Sequence, residues 1–157
     1  MKLTFFVFSL LLVLSLPYAE AVDVNIPDPN LEAALRDALG KPTGPLTDTD
    51  LASLTGLFAD NRGIINLTGL EFCINLTALT LFDNDISDVR ALSGLTNLTG
   101  LYLFNDQISD ISPLSGLINL TQLNLANNHI SNLQPLVDNP GLGVGDTIDV
   151  TVNPLNN

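Results

Sequence analysis

Four aromatic side chains, Phe58, Phe82, Tyr102 and Phe104, stand where the chain could grip another surface. Each directly follows a leucine in a short alternating stretch, so in an extended strand it projects opposite that leucine. Asp60, Thr80 and Asn124 share the same parity and the same side. Only five aromatics follow residue 21, and four of them fall in this row. Core packing does not demand such a row. Exposed aromatic clusters mark interaction sites, and aromatics are frequent binding anchors. The candidate ligand-binding residues are therefore Phe58, Asp60, Thr80, Phe82, Tyr102, Phe104 and Asn124. Gly56, Ala78 and Gly100 should leave a trough beside them, with Asp60, Asp83, Asn105 and Asn127 as a polar rim. The plainer alternative is that Phe82 and Phe104 pack on each other only to shield the sheet.

Bond-making chemistry is poorly represented. Asp83, Asp85 and Asp88 form an acidic group, but calcium asks for about six to eight oxygens from a compact loop. These three straddle Asn84 and an apolar Ile86, so they read as solvated turn residues. His129 is the single histidine, and no Cys/His cluster suits zinc. The lone Cys73 stands in a leucine position and reads as a small buried hydrophobe. No phosphate-cradling glycine loop ending in Lys-Ser or Lys-Thr occurs. Neither an enzyme, a cofactor nor a metal site is expected.

The elements that position these residues follow from a period of 22. Stepping by it joins Leu54, Leu76, Leu98 and Leu120, then Leu57, Leu79, Leu101 and Leu123, then Ile64, Ile86, Ile108 and Ile130. A unit this short cannot bury its apolar stripe alone, so successive units must stack into a solenoid with one core. Alternation at Leu79 and Leu81 predicts a short strand in each unit. Ile86, Val89 and Leu92 then step by three, which suits a 3₁₀ or irregular return arm. Pro113 and Pro135 argue against a regular helix there. Asn84 and Asn128 form a structural column, since an amide both donates and accepts. Arg62 and Asp106 depart from it, and Asp106 predicts a weaker rung. Asn75, Asn97 and Asn119 open Asn-Leu-Thr triplets locked to the same period, which turn chemistry explains without glycosylation.

Residues 1–21 read as a signal peptide: Lys2, an apolar run shorter than the ~20 residues of a membrane span, then Ala19-Glu20-Ala21 for cleavage. Residues 22–50 form a helical N-terminal cap, with Asp28-Pro29 opening a helix and Thr47 to Asp50 as a capping box. Four 22-residue repeats span 51–138. Residues 139–157 form a fifth, longer, incomplete repeat, displaced by an insertion around Asn139-Pro140-Gly141. There Ile148, Val150 and Val152 should point inward, Asn153 and Leu155 should continue their columns, and no cap follows. A charge of −12 disfavours nucleic acid and anionic membrane surfaces. With no membrane span after cleavage and no sorting segment before Asn157, a secreted, extracellular or periplasmic location is expected.

The pattern Leu76, Leu79, Leu81, Asn84, Ile86 resembles the bacterial 22-residue leucine-rich repeats of the internalin type. Pro27 to Leu35 is similar to the helical cap that precedes such repeats. The resemblance implies an α/β solenoid: a leucine-rich-repeat horseshoe with a parallel concave sheet, a short 3₁₀ or irregular convex side and an α-helical N-cap. It also implies a secreted module holding a protein ligand, or a glycan, on the concave face. The alternative function is a structural or assembly unit of a larger cell-envelope protein, self-associating end to end through the uncapped C-terminal edge.

Overall fold

The computed structural model describes residues 20–156. The expected signal segment therefore lies almost wholly outside the described residues. No helix among those described is long and apolar enough to cross a membrane.

Asp28 starts the first helix, α1 (Pro29–Leu39). Its Oδ1 accepts the N–H groups of Asn30 and Leu31, and Gly40 ends the helix in the left-handed conformation. The same carboxylate reaches forward. Its Oδ2 accepts from the backbone of Ile65 at 2.8 Å and Asn66 at 2.9 Å, in the first repeat. One buried side chain thus caps a helix and ties it to the solenoid. These bonds outweigh the desolvation that would raise its pKa, so the carboxyl titrates below its usual range. Helix α2 (Asp48–Ala52) opens on the Thr47–Asp50 capping box. Lys41 lies 2.5 Å from Asp50 and, with Thr47, holds its carboxyl at about 2.

Five three-residue strands follow: β1 (Gly56–Phe58), β2 (Ala78–Thr80), β3 (Gly100–Tyr102), β4 (Gln122–Asn124) and β5 (Thr147–Asp149). They form one parallel sheet in chain order. Leu57, Leu79, Leu101, Leu123 and Ile148 lie side by side across it. The first three joints keep the 22-residue step. The fourth absorbs the insertion, which is pinned by Asn139. That buried amide donates to the carbonyls of Leu114 and Leu117 and accepts from Gly141 N–H. Gly141 runs so close to the Ile118 backbone that any Cβ would collide with it.

The return arms are 3₁₀ turns at Leu70–Phe72, Arg90–Leu92 and Ser112–Leu114. The fourth is a single α-helical turn, α3 (Gln134–Val137), a departure from the irregular arm expected. Pro135 sits in its first turn, where a missing N–H costs no hydrogen bond. Val152 also departs from expectation. It adopts a positive φ of 57° and is 75% exposed, because it holds the left-handed turn position occupied elsewhere by Asn61, Asp83, Asn105 and Asn127.

Between sheet and arms the leucine and isoleucine columns are buried without gaps from Leu31 to Ile130. Leu101 is fully buried in the middle rung, whereas Leu155 is 37% exposed. Leu101→Ala should lower unfolding stability by about 2–5 kcal/mol in a urea titration. Leu155→Ala should cost less than about 1 kcal/mol. Equal losses at the two positions would contradict this packing.

Candidate functional site on the concave face

The outward side chains of the sheet form two rows. Phe58, Thr80, Tyr102, Asn124 and Asp149 are neighbours by strand register. The next row is Asp60, Phe82, Phe104 and Ala126, held by continued pairing such as Ala59 N–H to Thr80 O at 2.9 Å and Asp83 N–H to Phe104 O at 3.1 Å. The structure thus brings all seven candidate residues onto one face.

Phe82 and Phe104 are half-buried and stacked, with ring centroids 4.3 Å apart and planes within 10°. That separation is close to the roughly 4.8 Å between neighbouring strands, so the rings stand upright and turn their edges to solvent. Phe58 is 67% exposed. Its ring leans back over Gly56, and the Tyr102 ring leans over Gly100. The expected trough at those two glycines is therefore filled by aromatics of the same strands. Tyr102 Oη–H donates to Gln122 Oε1 on the next rung. Asn124 Oδ1 accepts from Ala126 N–H at 3.0 Å. Asp60 and Thr80 are half-buried, and Asp60 Oδ1 and Thr80 Oγ1 lie covered without a hydrogen-bond partner among the described residues. Asp60 is thus half-buried and not a free rim.

The rest of the rim is bonded to itself. Asn105 Nδ2 donates to Asp83 Oδ1 at 2.7 Å, and Asn127 Nδ2 to Asn105 Oδ1 at 2.9 Å. Asp88 and Asp110 accept backbone N–H groups two residues on, opening the convex arms. Among the described residues, no group of three or more His, Cys, Asp or Glu side chains could hold a metal ion. Burial pushes the Cys73 thiol up to about 12, with the nearby Glu71 charge adding to it, so it stays protonated.

Beneath the turn, Asn84 Oδ1 accepts from Arg62 N–H and Ile64 N–H, and its Nδ2 donates to Ala59 O and Leu81 O. Asn128 repeats the arrangement with Ile108, Leu103 and Leu125. Asn153 extends the column, accepting from Ile130 N–H and donating to Leu125 O and Val150 O. The spacing before Leu155 had pointed to Asn153. The alternation around Ile148 and Val150 likewise turns Asp149 outward on the last rung, and the register sets it beside Asn124.

The comparisons agree with this geometry. Residues 74–116 and 96–138 match the Leucine Rich repeats (2 copies) family. Internalin H of Listeria monocytogenes is 36% identical over 75 residues, which are 46% of this chain and 14% of that protein. The crystal structure of the internalin InlF from the same species superimposes with a TM-score of 0.76 at 32% identity, covering 81% of this chain and 37% of that one. The functional domain of InlJ, also from L. monocytogenes, gives 0.70 at 30% identity, covering 78% and 27%. This is a bacterial, internalin-like leucine-rich-repeat chain. It spans well under half the length of each of these relatives.

Asp106 breaks the internalin-like asparagine column. It is 3% exposed; Oδ1 accepts from Ile86 N–H at 3.0 Å, and Oδ2 is buried without a partner among the described residues. That oxygen takes the place of a donating amide. Desolvation raises its pKa to about 7, with the charges of Asp85 and Asp83 adding and the N–H groups of Ile86 and Asn84 opposing. The protonated acid supplies the missing donor. Since the folded-state value lies above the unfolded one, this contribution is complete below about pH 4 and vanishes as pH rises through about 7. Asp106→Asn should therefore stabilise the protein by roughly 2–4 kcal/mol at pH 8–9, and the gap should close towards pH 4. The shifts at Asp28 and Asp50 are common to both proteins and cancel. Urea titrations across this range giving a pH-independent gap would contradict the assignment.

Proposed function

We propose that the chain is a secreted module that binds a protein through the concave aromatic face, with Phe58, Asp60, Thr80, Phe82, Tyr102, Phe104 and Asn124 in contact. The observation that carries this reading is Phe58, 67% exposed on the same outward face of the parallel sheet as a half-buried aromatic stack. The Phe82–Phe104 stack does shield the strands, as the plainer reading holds. Shielding does not account for Phe58, whose ring lies largely in water. The backbone beneath is fixed by hydrogen bonds between rungs, so a partner meets a pre-ordered surface and little ordering entropy is lost. No step in this role calls for catalysis or a cofactor. A glycan is the alternative ligand for the same rings. The secreted location rests on the signal-like residues 1–21 and on the kinship with internalins.

Phe58→Ser should change stability by less than about 1 kcal/mol. It should weaken capture of a partner, first identified by crosslinking to bacterial or host surface proteins, by about tenfold or more. The convex control Ile74→Ser, at a residue 52% exposed, should leave capture unchanged. Capture unaffected by Phe58→Ser yet lost with Ile74→Ser would refute the concave reading.

One observation favours a second reading, assembly through the C-terminal edge. Beside β5, a groove of about 330 Å³ is lined by Leu133, Leu136, Val137, Leu142, Ile148 and Val150. Under this reading, sedimentation velocity shows concentration-dependent association that Ile148→Asp abolishes. A monomer at every concentration removes it.

A further inference from the structure

The charges of this chain are unevenly distributed over its faces. Among the described residues, Arg36, Lys41, Arg62 and Arg90 each pair with an acid: Glu32, Asp50, Asp37 and Asp88. All four pairs lie on the cap, the turns or a convex arm. The concave rows carry Asp60 and Asp149 and no cation. Asp149 is held ionised: the backbone and side chain of Thr151 both donate to its Oδ1, at 2.9 and 2.7 Å, and these bonds lower its pKa. Its Oδ2 accepts no hydrogen bond from the described residues.

A depression of about 210 Å³ is lined by Asp149 and Thr147 of β5, by Gln122, Leu123 and Asn124 of β4 and, two rungs from Asp149, by Tyr102 of β3. Tyr102 and Asp149 are two rungs apart, a backbone separation of roughly 10 Å from the strand spacing. An aromatic side chain and a carboxylate thus border one gap, with the Asn124 amide on the strand between them. A guanidinium stacks on aromatic rings and bonds carboxylates in one planar group, whereas an ammonium is a strongly hydrated point charge. The chain's net charge of −12 adds long-range attraction for a cation.

We infer that the depression between Tyr102 and Asp149 receives an arginine side chain from a protein partner. The inference rests on the concave face being the binding face, and it specifies the chemistry of what lands there. The partner's contact surface is then basic, and neutralising Asp149 weakens it.

The test uses the full chain and two peptides of equal length, one with arginines spaced by glycine and one with lysines at the same positions. Binding is followed by calorimetry at low salt and at about 150 mM salt, with Asp110→Asn as control. Asp110 lies on the convex side in a column where Asn66 and Asn132 make the same turn bond, so the control keeps the fold. Asp149→Asn should weaken the arginine peptide at least fivefold and Asp110→Asn less than twofold. Tyr102→Leu should erase the preference for arginine over lysine. Equal effects of Asp149→Asn and Asp110→Asn, or equal binding of the two peptides to the unaltered protein, overturn the inference. Should Phe58→Ser abolish partner capture while Asp149→Asn leaves the arginine peptide unaffected, the concave reading stands and the arginine seat alone falls. Should Phe58→Ser leave capture intact while Asp149→Asn weakens the peptide, the seat and the concave face stand and Phe58 alone leaves the contact set.

Discussion

Lateral register between rungs is the constraint on which everything else depends. No strand among the described residues exceeds three residues, and none could persist alone. Each exists because the same three positions of the next rung lie beside it, with a leucine or isoleucine directly behind. Burial of those aliphatic side chains supplies the driving force. The asparagine column supplies the registration, since Asn84, Asn128 and Asn153 each join carbonyls of two rungs. A slip of one residue would break both at once, because side chains alternate across the sheet.

That constraint separates what the fold needs from what the surface presents. Inward positions must be aliphatic, and the turn positions must tolerate a left-handed backbone. The outward positions answer to neither demand, so their identities are free to serve contact. Here they are aromatic in the first three rungs, with Asp60 and Asp149 on the two outermost rungs and no cation. On the convex side and cap, by contrast, each cation among the described residues pairs with a nearby acid. Capping and coupling are not independent devices either. Asp28 performs both with two oxygens of one carboxylate, which is how a helix of different pitch is fitted to the first rung.

Much of this architecture was legible in the residues, because periodicity reports burial directly. The leucine and isoleucine columns, the Asp28 start of α1 and the concave placement of the aromatics all follow from spacing. The partner list of Asn84 was legible only in kind, since spacing does not say which carbonyls it meets. What the spacing hid depends on contacts between residues far apart in the chain. The rotamers that lay Phe58 over Gly56 and Tyr102 over Gly100 are set by the small residues beneath them, so the trough expected there is filled. The insertion reads as loop composition, yet Asn139 makes it a buried anchor. Val152 departs from its column because its aliphatic side chain suggests burial, whereas its backbone position fixes it in a left-handed turn. Asp106 was visible as an irregularity, but its orphaned oxygen is a property of the packed column.

Residue-resolved amide hydrogen exchange tests the register-locked stack most directly. The N–H groups of Ala59, Leu81, Leu103 and Leu125 donate to carbonyls of the following rung. Register-locked stacking predicts comparably strong protection at all four, lost together on mild destabilisation as one cooperative body. Unprotected exchange at Leu81 or Leu103, in the centre of the stack, would contradict it.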